Sequence, residues 1–343
     1  MPNTHRPWTI KDAGPNLLRA SLEGPAFHAP PFPVGVEDHA HPRLARLRRE
    51  YRLPAVLRGA QSEFERLLRL RHWVHTRWPI DNAQNFQGDA FAILEHAKTG
   101  AGFHCHHAMV VQHAVLAACG FVVRDLGVDR DFRLLGRSSH HGVNEVWSNT
   151  FAKWVVLDAK YDIHFARRGV PLSAAELHAA ARSGRVRGIV KVRGLRRRKT
   201  AMENPRKVEG SGLGYWWVSY HMRTDTFTHP HFSGGDRLLV WDNLYFRRST
   251  WYRNAGPARV KHWAYANQAF VRVRAQEGID WTPGVPGLVA RQRAPHVLDV
   301  RLRSATPNFK TYRVRFDGGS WRNCPSGRLR WKLTVSLKND RAA

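Results

Sequence analysis

The chain has 343 residues, with 55 Lys and Arg against 27 Asp and Glu, a net charge of +28 and 13 Trp. Its 43% hydrophobic content argues against wholesale disorder, its three cysteines against a disulfide framework, and its lack of an apolar run of about 18 residues against a transmembrane helix. The positive balance fits an anionic partner such as nucleic acid or an acidic polymer, or an arginine-rich composition spread over a solvated surface.

Residues 1–40 are rich in proline and histidine and are expected to form an extended arm. Residues 1–33 hold no apolar stretch of the signal-peptide kind, so a cytoplasmic location is the default expectation. Over 62–77, Phe64, Leu67, Leu68, Leu70, Trp73 and Val74 recur at helical spacing, and Pro79 closes the segment. A shorter helix fits 89–98, broken by Gly100 and Gly102. A strongly apolar helix follows over 105–119, with Gly120 where a helix C′ glycine belongs. Residues 121–126, 142–147 and 154–157 then read as short strands rich in Val and Trp. Ser173 and Glu176 stand at capping-box spacing before a helix to Ala181. Residues 182–214 are basic and glycine-rich and read as a long connection. Its densest charge, Arg193, Arg196, Arg197, Arg198 and Lys199, reads as a solvated loop. Aromatic strands are expected at 215–218 and 238–241, and further strands at 297–302, 312–316 and 329–337, with Asp317-Gly-Gly as a hairpin signal. The domain reading is an arm over 1–40, an α+β core with extensions over 41–290, and a C-terminal all-β module over 291–343.

Three residues carry the chemistry. Cys105 follows Gly102-Phe-His at the start of the apolar helix, where unpaired N–H groups and the positive dipole end favour a thiolate. His141, in Ser138-Ser-His-His-Gly-Val, enters a strand. Asp158 ends the apolar run Trp154-Val-Val-Leu, and a buried carboxylate there needs a partner. The connection over 148–153 is short enough for a hairpin, so His141 and Asp158 can sit side by side. Singly, each has a structural reading: a core cysteine, a satisfied histidine, a turn aspartate. Together they make a nucleophile, a base and the residue that orients the base, with His140 as rival base.

Cys, then His followed four residues later by Glu145-Val, then Trp154-x-x-x-Asp158 resembles the transglutaminase-like superfamily. Upstream, Leu70-Arg-His-Trp-Val-His and Asp89-Ala-Phe-Ala-Ile-Leu strengthen the likeness, which covers about residues 60–165. It departs from the usual pattern at Gly142-Val143, where His-Ala-Trp is common, and at Ala159, where Asp-Pro is common. The resemblance implies a papain-like transglutaminase core, with a helix-borne Cys105 packed on an antiparallel sheet that carries His141 and Asp158. The β module is expected to be sandwich-like. The implied activity is on a protein, peptide or amide substrate through a Cys105 thioester. Hydrolysis is favoured over acyl transfer, because no dedicated acceptor groove is legible. The alternative is a non-catalytic protein that uses the same fold and a basic surface to hold an anionic polymer. No cofactor and no metal is expected. His104, His106, His107 and His113 crowd Cys105 but form no His-x-x-x-His pair, and no Cys-x-x-Cys is present. His229-Pro-His231 reads as a surface turn. Residues 210–214 lack the Lys-Ser/Thr of a phosphate loop, and 246–253 read as a basic strand with an aromatic core face.

Overall fold

The computed structural model describes residues 9–11, 21–23, 26–30, 34–129, 140–201, 217–229, 237–241, 269–273, 275–294, 297–315 and 320–332. They fall into two compact units, Pro30–Asp280 and Met1–Ala29 with Trp281–Ala343. The architecture is mixed helix and sheet.

In the terminal unit, β1 (Thr9–Lys11) and β2 (Ser21–Glu23) pair antiparallel. The larger unit starts with β3 (Gly35–Val36), α1 (Pro42–Glu50) and α2 (Leu53–Val56). The sequence marks neither of the latter two as a helix. The reason is a thin apolar stripe: α1 buries only Leu44 and Leu47 among four arginines. α3 (Glu63–His75) is capped by Ser62, whose Oγ accepts from Glu65 N–H at 3.1 Å. α4 (Ala90–Ala97) is capped by Asp89, which accepts from Ala92 N–H at 3.0 Å. α5 (Cys105–Ala118) stops at Gly120, whose φ of +83° suits glycine. Gly120 N–H and Phe121 N–H return to Ala117 and Leu116 carbonyls.

β4 (Val123–Asp129), β5 (His140–Ser148) and β6 (Lys153–Leu157) form an antiparallel meander, with Trp147 opposite Trp154. β7 (Ile163–Arg167) and β8 (Val170–Pro171) follow, then α6 (Ala174–Ser183) with a complete Ser173/Glu176 capping box. Residues 182–214 are not simply a connection. β9 (Ile189–Arg193) and β10 (Arg198–Ala201) form a hairpin within them, and the basic cluster is its exposed end. The alternation Ile189-Val-Lys-Val was masked by the basic flanks; β9 is nevertheless internal to the sheet β10-β9-β7-β8. β11 (Trp217–His221), β12 (Arg223–Thr224), β13 (Arg237–Trp241) and β14 (Ala269–Val273) come next, β12 pairing parallel with β3. The main sheet has the order β14-β13-β11-β4-β5-β6 and is antiparallel except between β13 and β14.

Strand alternation divides this sheet into two buried faces. Val123, Val146, Val155 and Leu157 join the helices in one core with Leu67, Leu68, Phe103, Val111 and Val115. Leu126, Val128, Val143 and Val156 pack with Phe165, Leu177, Tyr220 and Ile279 in a second. Each fully buried large apolar side chain contributes about 1.5–3 kcal/mol. The nucleophile-bearing helix is thus held on one face of a sheet closed on both sides.

In the terminal unit, β15 (Gly287–Ala294) and β16 (Val297–Arg303) pair antiparallel. β17 (Tyr312–Val314) pairs with β18 (Arg322–Cys324), and β19 (Arg328–Lys332) joins β16. The Asp317-Gly-Gly signal lies outside the described residues. No described helix is long and apolar enough to cross a membrane.

Candidate active site

The start of α5 is shaped by a close backbone approach. Phe103 N–H donates to Pro79 O at 3.0 Å and Asp81 N–H to Phe103 O at 3.1 Å. A Cβ on Gly102 would stand 2.8 Å from Pro79 O and 2.7 Å from Asp81 Cβ, so this position takes glycine. His104 then caps the helix with extended backbone, its Nδ1 accepting from His106 N–H at 3.2 Å. Cys105 is the first helical residue and is half-buried.

His141 lies near the start of β5, opposite Val128. Its Nε2 is 2.8 Å from Asp158 Oδ2, and both side chains are buried. His141 and the Cys105 thiol act on each other's protonation, and a Cβ on the neighbouring Gly142 would stand 3.8 Å from Cys105 O. With Nε2 engaged by Asp158, Nδ1 is the nitrogen left for the thiol. The structure therefore brings Cys105, His141 and Asp158 together in that order. The side chain of the rival His140 lies outside the described ones. Asp158 Oδ1 accepts from Tyr161 N–H at 3.1 Å, and the Tyr161 ring lies 5.4 Å from the imidazole.

The electrostatics follow from these contacts. Burial alone would raise the Cys105 thiol. Hydrogen bonds with His104 and His141, the His141 charge and the Gly142 N–H outweigh it and bring the thiol down to about 4. Burial would likewise lower His141, but the Asp158 charge and hydrogen bond, helped by Cys105, push it up to about 10. A thiolate–imidazolium pair is the result. Cys119, just past the other end of α5, shows the opposite case: burial pushes it up to about 11 against the pull of Arg66 and Arg48.

Several supporting residues were not legible in the sequence. Gln112 Nε2 on α5 donates to Asn144 Oδ1 at 2.7 Å and to Leu157 O at 2.9 Å. Asn144 Nδ2 donates to Asp125 Oδ1 at 2.6 Å, and His113 bonds the same oxygen at 2.8 Å. This buried network fixes α5 along β4, β5 and β6, and so sets Cys105 against His141. A second group anchors the turn after Asp158. Arg71 Nε on α3 is 2.7 Å from Asp162 Oδ1, His72 Nδ1 is 2.6 Å from Oδ2, and Arg71 Nη1 is 2.8 Å from His164 Nδ1. Glu145 is buried against Arg124, Oε2 to Nη2 at 2.5 Å, and its Oε1 accepts from Ala174 N–H at 2.5 Å. Arg124 lies between the rings of Trp154 and Tyr220, 4.0 and 4.4 Å from their centroids. The only sequence signal for such residues is a charged or amide side chain inside an apolar strand or helix, which does not name its partner.

Among the described residues no group of three or more His, Cys, Asp or Glu side chains is placed to hold a metal ion. Residues 210–214, His231 and 246–253 lie outside the described residues.

No protein-family model and no curated protein matches this chain. Two solved chains do. One is the crystal structure of a candidate cysteine protease from Cytophaga hutchinsonii, 16% identical over 34% of this chain and 37% of that one, with a TM-score of 0.28.

Proposed function

We propose that this protein is a papain-like, transglutaminase-like cysteine enzyme that opens amide or peptide bonds through a Cys105 thioester. The observation that carries the reading is the relay from Asp158 through His141 to a thiol at a helix start. In the proposed cycle the Cys105 thiolate attacks the amide carbon and forms the C–S bond. Charge gathers on the carbonyl oxygen, near the first-turn N–H groups of α5, which have no intrahelical acceptors. As the C–N bond breaks, His141 gives its proton to the leaving amine. The neutral imidazole then takes a proton from water, which attacks the thioester. The acid leaves, and the thiolate and imidazolium are restored. Asp158 holds the ring in orientation and stabilises its charge throughout. No metal or cofactor is needed for these steps. Hydrolysis is favoured over transfer, since water serves as acceptor without a further binding surface. The C-terminal module is proposed to be β-sandwich-like.

Two measurements test this. Iodoacetamide at pH 6 should label Cys105 at least about tenfold faster than Cys119, because the thiolate is the nucleophile and only the former is ionised there. Equal rates would refute the assignment. A glutamine-containing protein offered with a labelled primary amine then separates outcomes. Ammonia release without label supports hydrolysis, and Cys105-dependent incorporation overturns that preference.

A second reading, a binding protein for an anionic polymer, draws on two basic features. One is the exposed run Arg196, Arg197, Arg198 and Lys199. The other is a cleft of about 660 Å³ past the C-terminal end of α5, lined by Arg48, Arg58, Arg66, His39 and Cys119 among others. Cys105→Ala that retains every measurable property of the protein would favour it.

A further inference from the structure

We propose that the cleft past the C-terminal end of α5 binds a small organic phosphate, its phosphoryl group held by Arg48, Arg58 and Arg66 and its apolar part lying along Pro54, Ala55 and Leu57. The proposal goes beyond both readings above, since it needs neither a thioester nor a polymer.

The cleft holds about 660 Å³, within the usual range for a small-molecule site. Its three arginines come from separate elements: Arg48 from α1, Arg58 from the turn after α2 and Arg66 from α3. Among the described residues no acidic side chain lines it. The carboxylates that α1 and α3 carry are engaged elsewhere. Glu50 pairs with Arg46 at 2.8 Å and Glu65 with Arg69 at 2.8 Å, while Glu63 accepts from Ser148 Oγ at 3.0 Å and from Asn149 N–H at 2.8 Å. Asp38, beside His39 in sequence, accepts from Ala40 N–H at 2.9 Å. Like charges gathered without a counter-charge repel one another, and an anion in the cleft relieves that repulsion.

A helix C-terminus carries partial negative charge, which works against an anion. At this end of α5 the carbonyls are already occupied. Val115 O, Leu116 O and Ala117 O accept from the N–H groups of Cys119, Phe121 and Gly120, and Ala118 O accepts from Arg48 Nη1 at 2.8 Å. Arg48 keeps its other guanidinium donors. Arg66 is held over the Phe121 ring, 5.3 Å from the centroid. His39 adds a polar wall: its Nε2 donates to Phe121 O at 3.1 Å, and burial keeps it below the usual histidine range, so the positive charge is that of the arginines.

The lining also selects the ligand. A carboxylate offers one charge and two oxygens. A phosphate monoester offers nearly two charges and three terminal oxygens, which three guanidiniums can share. Pro54, Ala55 and Leu57 add an apolar wall that a bare ion would not use. Cys105 stands at the other end of the 14-residue α5, about 20 Å away, so this site is separate from the triad.

Phenyl phosphate is the probe, titrated calorimetrically into the full chain at about 50 mM salt, with benzoate and inorganic phosphate in parallel. One saturable site is expected. Arg58→Gln and Arg66→Gln should each weaken it about tenfold or more, with thermal melting retained. Changing Arg196, Arg197, Arg198 and Lys199 together to Gln removes more charge elsewhere and should alter binding by less than about twofold. Benzoate and inorganic phosphate should each bind about tenfold more weakly. Bound phenyl phosphate should also slow alkylation of Cys119 by iodoacetamide at pH 9 and leave Cys105 unchanged; this measurement on wild type decides if the variants fail to fold. No saturable binding, or binding weakened as much by the four distant changes as by Arg58→Gln, overturns the proposal. Protection of Cys105 in place of Cys119 overturns it too, by placing the probe at the triad. Equal affinity for benzoate or inorganic phosphate would refute the organic phosphate.

Discussion

Cys105 and Cys119 bracket one helix, yet their thiols are driven in opposite directions, to about 4 and about 11. Both are half-buried, so burial does not separate them. The difference is hydrogen-bonded neighbours: two imidazoles and a backbone N–H at one end, only arginine charges at the other. Asp158 is the residue on which the imidazolium depends most, since its charge is the largest influence opposing burial. Asp158→Asn keeps an oxygen for Tyr161 N–H but removes the negative charge. The alkaline limb of the Cys105 reactivity profile should then move down from about 10 towards or below 6.5. A limb that stays in place would detach His141 from Asp158. Turnover in the same variant should drop by about 10²–10⁴ in kcat/KM, as expected when a positioned acid–base group is compromised.

At the level of elements, the site depends on two joints. One is the approach of residues 79–81 to the turn before α5. Gly102→Ala would press a methyl on Pro79 O and Asp81 Cβ, and backbone atoms yield less readily than side chains. A loss of about 1–3 kcal/mol in urea unfolding is expected, with slower Cys105 alkylation in the folded fraction. The other joint is the turn from β6 to β7, held by Arg71, Asp162 and His164. Burial first, and the Arg71 charge second, hold His164 down at about 3, against 6.5 when unfolded. Between these values the unfolded chain binds a proton that the folded one refuses, so stability rises with pH there. Its contribution is complete above 6.5 and is lost as pH falls. His164→Gln keeps an acceptor for Arg71 Nη1 and does not titrate. Urea melts from pH 7 to 4.5 should show the variant losing less stability, by up to about 1.4 kcal/mol per pH unit below 6.5. Parallel curves for the two proteins would show that His164 is not the group responsible.

Over the whole molecule, the +28 charge is the largest unassigned property. Basic side chains occur on α1, α3, β9, β10, β15, β16 and β19 alike, and several are already committed: Arg46 to Glu50, Arg69 to Glu65, Arg330 to Asp299. Such a distribution predicts weak, unspecific polymer binding. Retention on heparin should vanish between about 50 and 200 mM salt. Replacing Arg196, Arg197, Arg198 and Lys199 by Gln should change it little. Retention that survives higher salt and is lost with those four residues would support the binding reading instead.

The sequence by itself determined the local devices. The Ser173/Glu176 box and Gly120 mark helix ends because a cap acts over three or four residues. The alternation in 142–147 and 154–157 marks strands because a strand repeats every two. Where those signals are thin or overlain by charge, as in α1 and β9, the element is not legible in the sequence. Only the tertiary structure decided which polar groups meet. Arg71 and Asp162 are 91 positions apart, Gln112 and Leu157 45, and Arg124 and Glu145 21. The state of the Cys105 thiol belongs to this second class. A pKa is set by desolvation and by charges within a few ångströms, and those atoms are assembled by the sheet and the helix that covers it.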